Sequence, residues 1–150
     1  MTAEATPLAS LPGEENTDER VIIIETDNCR AVGYDWGAIK WICDRNTPGS
    51  LQSFGYAYVL PGKTNPEHRH TTCEEIIYMM AGELKVYAQG ECITLKPGQT
   101  ALIPKGLRHS VKNEGWEPVL YIASFSAAVR DTVFKGQTGK LELQAIEQLF

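Results

Sequence analysis

Histidine occurs three times in this 150-residue chain, and all three fall in two short blocks. The first block is Gly62-x5-His68-x-His70-x4-Glu75-x6-Gly82, and the second is Gly98-x5-Pro104-x-Gly106-x2-His109-x3-Asn113. Side chains alternate faces along a strand, so His68 and His70 point one way and Arg69 the other. Glu75 opens an apolar run, Glu75-Ile-Ile-Tyr-Met-Met80, rich in strand formers, and the loop Thr71 to Glu74 folds that run back toward the histidines. His109 then arrives on a third strand, after the turn Pro104-Lys-Gly106. Three imidazoles and one carboxylate suit a borderline divalent ion such as Fe, Mn, Ni, Co, Cu or Zn. Glu74 is out of phase with Glu75 and is read as surface.

Both blocks resemble the two signature motifs of the cupin superfamily, with every fixed position filled, over roughly residues 51–125. The joint pattern is specific because it fixes glycines, a proline and four ligands together. The resemblance implies an all-β fold, a double-stranded β-helix or jelly-roll barrel, with a metal in its mouth. It assigns His68, His70, Glu75 and His109 as the ligands. A six-coordinate ion held by four such ligands keeps two positions open for water, dioxygen or a chelating substrate.

The length fits one domain, which buries roughly 70% of its unfolded surface and needs no staple. A flexible lead-in is expected over residues 1–19, ahead of a single domain over 20–150. Net charge is −5, which disfavours nucleic acid or an anionic membrane as partner. No run reaches the ~20 apolar residues of a membrane span. Residues 1–16 lack a basic stretch followed by an apolar one, so a cytoplasmic location is expected. Cys29, Cys43, Cys73 and Cys92 show no paired spacing and are expected as thiols, with Cys73 a small packing residue.

Short strands separated by turns every 8–12 residues argue for a barrel or sandwich. Expected strands cover Val21–Ile24, Ala38–Cys43, Leu51–Leu60, Leu84–Tyr87, Cys92–Leu95, Thr100–Ile103, His109–Lys112 and Val119–Phe125. The tail from Lys140 to Phe150 has the composition and apolar spacing of a short C-terminal helix. Single-domain cupins commonly pair, and Val21–Ile24 is free to extend a neighbour's sheet, so a homodimer is expected.

Phase gives a pocket lining. Ile77 and Met79 share the face of Glu75, Val111 shares that of His109, and Leu84 and Val86 form an inner pair. Tyr56 and Tyr58 are candidate rim aromatics with Trp36 and Trp41. Arg69 and Arg108, each beside a ligand histidine, turn outward as solvated charges. The resulting expectation is a metal-dependent, oxygenase-type oxidoreductase (a dioxygenase) acting on a small oxygenated organic molecule. No general acid or base is assigned. The alternatives are an isomerase, lyase or decarboxylase using the ion only to polarise its substrate, or a non-catalytic metabolite-binding (sugar-like) cupin.

Overall fold

The computed structural model describes residues 20–136. The C-terminal helix and the N-terminal lead-in expected from the sequence lie outside the described residues.

Eleven strands are present among them: β1 (Ala31–Tyr34), β2 (Gly37–Cys43), β3 (Ser53–Val59), β4 (His68–Arg69), β5 (Glu75–Ala81), β6 (Leu84–Ala88), β7 (Glu91–Leu95), β8 (Thr100–Ile103), β9 (His109–Lys112), β10 (Val119–Phe125) and β11 (Val133–Phe134). They form two antiparallel sheets. One has the order β1-β2-β3-β10-β5-β8 and the other β11-β4-β9-β6-β7. A single core draws side chains from both, among them Val59, Ile77, Met79 and Tyr121 from the first and Leu84, Val86 and Val111 from the second. This is the jelly-roll barrel that the motifs imply.

Inward and outward positions alternate along β3, β5 and β10, as a sheet with one wet face requires. β5 buries Glu75, Ile77 and Met79 and exposes Ile76, Tyr78 and Met80. β10 turns Val119, Tyr121, Ala123 and Phe125 inward. The facing positions of β3 are small in compensation. Tyr121 pairs with Ala57 and Ala123 with Gly55. Gly55 has no room for a side chain on its other flank either, where a Cβ would meet the Lys40 carbonyl oxygen at 2.7 Å.

This complementarity corrects the expectation for Tyr56 and Tyr58. With Tyr121 and Phe125 filling the interior from β10, the inner face of β3 takes Ser53, Gly55, Ala57 and Val59, and the tyrosines point outward. Tyr58 is 39% exposed. Trp36 and Trp41 are core residues rather than rim: Trp36 stacks on Tyr34 with ring centroids 4.8 Å apart, and Trp41 packs on Phe125.

Val21–Ile24 is likewise corrected. The segment forms no strand, and Val21 and Ile23 are 87% and 77% exposed. β-branched residues favour extended backbone, but a strand also needs a partner ladder. Here a 3-10 turn at Thr26–Asn28 separates the segment from β1, which among the described residues pairs only with β2. The outer face of the six-stranded sheet keeps a further apolar group exposed, comprising Tyr58, Ile76, Tyr78, Met80 and Leu102.

Phase also fixes which methionine matters. Replacing Met79, fully buried, with alanine is expected to lower unfolding free energy by about 2–5 kcal/mol. The same change at exposed Met80 stays within about 0.5 kcal/mol. Denaturant unfolding of the two variants checks this, and a larger loss for the Met80 variant would mean the strand is in the opposite phase.

Candidate metal centre

Three of the four candidate ligands open a strand: His68 begins β4, Glu75 begins β5 and His109 begins β9. His70 lies just beyond the end of β4. His68 and His109 are register partners across β4 and β9. Glu75 comes from the other sheet, so the four residues meet across the gap between the two. One ligand atom from each lies within 4.8 Å of those of the other three. The imidazole centroids are 4.4 Å (His68 to His109), 4.9 Å (His68 to His70) and 5.6 Å (His70 to His109) apart. All four residues are buried, while Glu74 is exposed.

The hydrogen bonds fix how each imidazole faces the centre. His68 Nδ1 lies 2.7 Å from the Pro66 carbonyl oxygen, His70 Nδ1 is 2.6 Å from that of Asp131, and His109 Nδ1 is 2.9 Å from that of Leu107. A carbonyl oxygen only accepts, so in each case Nδ1 carries the hydrogen and donates it. Nε2 of each ring is thereby the face left for the centre. His70 Nε2 is buried with no hydrogen-bond partner among the described residues, at 3.7 Å from Glu75 Oε2. His109 Nε2 is 2.9 Å from the same oxygen.

Convergent lone pairs and a carboxylate in a buried space demand a positive charge. A proton between His109 and Glu75 meets part of that demand. Burial alone would lower the His109 pKa, but the hydrogen bond and charge of Glu75 raise it above the ordinary value. Burial resists ionisation of Glu75, yet the bond from His109 and the nearness of His70 hold its carboxyl well below the usual carboxylate range. Burial, then the charges of His109 and His70, push His68 down to about 3. One divalent cation would satisfy all four donors together, and the donor set fits a borderline ion.

Ile77, Met79, Val86 and Val111, expected as pocket lining, are all buried in the core. Asn113, also in phase, has a structural role: its amide donates to the Val59 and Glu117 carbonyl oxygens. Arg69 and Arg108 are half-buried rather than solvated, each with a buried guanidinium nitrogen lacking a hydrogen bond among the described residues. Cys73 is a packing residue, 2% exposed, and burial raises its thiol pKa.

Four nearby residues escaped the sequence reading. Tyr121, buried on the inner face of β10, has its phenol pKa raised by burial and by the charge of Glu75. Alternation in Val119–Phe125 holds this signal, but apolar residues on both faces hide which phase is inward. Phe125 packs edge-on against His70 at 5.1 Å, and the Arg130 guanidinium lies over Trp41 at 4.1 Å and over Phe125 at 4.8 Å. Asp131 contacts His70 from 61 positions away, which no local pattern marks.

These shifts set the pH response of metal-free protein. His68 stays neutral in the fold where the unfolded chain takes a proton, so its contribution is complete above 6.5 and lost as pH falls toward about 3. Glu75 adds a further loss at lower pH, below its ordinary 4.5. His109 acts oppositely: its contribution is complete below 6.5 and fades as pH rises through its elevated value. Unfolding of chelator-treated protein is expected to show greatest stability near pH 6.5, with a loss on the order of 2 kcal/mol between 6.5 and 4.5. His68→Asn flattens that acidic limb. An unchanged limb in this variant would contradict the assignment.

Comparison with known proteins agrees with the fold. Residues 55–125 match the cupin domain family. The rhicadhesin receptor of Pisum sativum is 38% identical over 94 residues, 59% of this chain and 42% of that protein. The chain thus spans less than half the length of that relative. Protein SchB of Streptomyces halstedii is 32% identical over 100 residues, covering 66% of this chain and 72% of SchB. Among solved structures, the polyketide cyclase RemF of Streptomyces resistomycificus superposes with a TM-score of 0.66 at 16% identity, over 79% of this chain and 88% of RemF. Sequence motifs, barrel topology and these likenesses agree that the chain belongs to the cupin superfamily.

Proposed function

We propose that this protein is a metal-dependent enzyme of oxygenase type, acting on a small oxygenated organic substrate. The observation that carries this reading is the convergence of three Nε2 atoms, each with its tautomer fixed from behind, and one carboxylate in a buried apolar cup. His68, His70, Glu75 and His109 would hold a single divalent transition ion. When bound, that ion supplies Lewis acidity and, if it is redox-active, dioxygen activation at the positions the protein leaves open. Ile77, Met79, Val86 and Val111 exclude water and strengthen local electrostatics. Tyr121 keeps its proton on the phenol oxygen at neutral pH and can donate a hydrogen bond to an oxygen of the substrate.

Tyr121 also favours a second reading. An inward phenol is what an isomerase, lyase or decarboxylase needs if the ion only polarises a carbonyl or enolate. Oxygen consumption with Fe, Mn, Ni or Cu supports the first reading; anaerobic turnover with Zn supports the second. Substrate binding without any product would leave only a binding protein. Metal analysis of protein purified without added metal is expected to find about one transition ion per chain. His70→Ala and His109→Ala are each expected to lose most of it, about 10-fold or more in affinity. Unchanged metal content in both variants would remove the proposed function altogether.

No helix among the described residues is long and apolar enough to cross a membrane. Its four free cysteines support a reducing, cytoplasmic setting, which thiol titration of protein isolated without reductant checks.

We further propose that the chain forms a homodimer. The outward Tyr58, Ile76, Tyr78, Met80 and Leu102, with exposed Val21 and Ile23, support pairing with a second copy. Light scattering is expected to give twice the chain mass, falling to one chain mass for Ile76→Lys combined with Tyr78→Lys. A monomeric wild-type protein would refute the pairing and leave the metal site untouched.

A further inference from the structure

The three ligand imidazoles are oriented in two different ways. His68 and His109 donate Nδ1–H to carbonyl oxygens two residues earlier, on Pro66 and Leu107. Those contacts belong to the local chain and form wherever the local backbone forms. His70 instead donates to the carbonyl oxygen of Asp131, 61 residues away. Its tautomer therefore depends on tertiary structure. Moreover, Asp131 lies beyond residue 125, where the match to the cupin domain family ends.

Asp131 is held in place by the residues that follow His70. Its carboxylate accepts hydrogen bonds from the Thr71 backbone N–H at 2.7 Å and the Thr72 backbone N–H at 2.9 Å. It accepts two more from the hydroxyls, Thr72 Oγ1 at 3.0 Å and Thr71 Oγ1. The result is a closed clamp. The Asp131 side chain grips the chain directly after His70, and the Asp131 main chain grips the His70 ring. Asp131 is 7% exposed, so these bonds face little competition from water. The same segment continues into β11, where Val133 and Phe134 pair with Arg69 and His68. Phe134 rests against the His68 ring at 6.2 Å.

We propose that Asp131 is a positioning residue for the metal centre, fixing the tautomer and aim of His70 through this clamp. The inference rests on the metal-binding reading above and deepens it. Without the carboxylate, the peptide carbonyl of residue 131 remains but loses its anchor to Thr71 and Thr72. The His70 proton then redistributes between Nδ1 and Nε2, and every molecule with Nε2 protonated lacks one ligand.

The test uses the full-length chain with Co(II) as probe metal and has two arms. In metal-free protein carrying 15N-histidine, two-bond 1H–15N spectra are expected to show the His70 proton on Nδ1. Asp131→Ala should move it substantially to Nε2, with His68 and His109 unchanged. In the second arm, Asp131→Ala should weaken Co(II) binding about 10- to 100-fold and alter the Co(II) visible spectrum. Asp131→Asn, which retains an acceptor oxygen for the Thr71 and Thr72 amides, should recover most of both. If Asp131→Ala fails to fold, Thr71→Val with Thr72→Val removes the two hydroxyl donors and keeps Asp131; it should shift both readouts in the same direction. A folded Asp131→Ala or double-valine protein with wild-type tautomer and wild-type Co(II) binding overturns the proposal. Wild-type protein that binds no Co(II) would defeat the metal reading instead, and the tautomer arm would still decide whether the clamp acts on His70.

Discussion

Everything in this molecule that bears on chemistry depends on Glu75 of one sheet meeting, in the buried interior, the imidazoles of His68 and His109 from the other sheet and of His70 just past β4. Water cannot relieve the resulting electrostatic demand, because the four residues are buried. A proton between His109 and Glu75 meets part of it, and the geometry concentrates the rest at one point. Each Nδ1 is committed to a carbonyl, so the lone pairs that remain have a single common direction. A cation placed there would tie the two sheets together, and metal binding would then be coupled to the integrity of the barrel.

Strand alternation makes that arrangement possible. Glu75, Ile77 and Met79 share an inner face, as do His109 and Val111, so polar ligands and apolar walls occupy successive inward positions of the same strands. Glu75 pairs with Phe125 and His109 with His68 and Ala88 in the end rows of the two sheets, with Ile77, Met79, Val86 and Val111 further along. The site therefore lies toward one end of the barrel, with packed hydrocarbon beneath it.

The ligand set was legible in the sequence because it is written at short range: a two-residue alternation at His68 and His70, and turns that start β5 and β9. Strand positions from β2 to β10 were legible for the same reason. What was not legible depends on volume and on distance along the chain. Tyr56 and Tyr58 alternate with Gly55 and Ala57 in a pattern that allows either face to be inward. The choice is made by Tyr121 and Phe125 on β10, which take the space first. Val21–Ile24 has strand composition, but no neighbouring ladder accepts it. Asp131 supports His70 through a contact that closes only when the whole barrel has formed.

The small residues of β3 have a consequence for how the strands beside it pack. Tyr121 lies in register with Ala57 and Ala123 with Gly55, where a side chain would meet the Lys40 carbonyl and the Trp41 ring of β2. Ala57 is fully buried, so added bulk there would compete with neighbours such as Tyr121 for interior space. Packing in this part of the core is thus set from a strand that contributes no ligand, and variation there would disturb the interior while leaving the coordinating atoms alone.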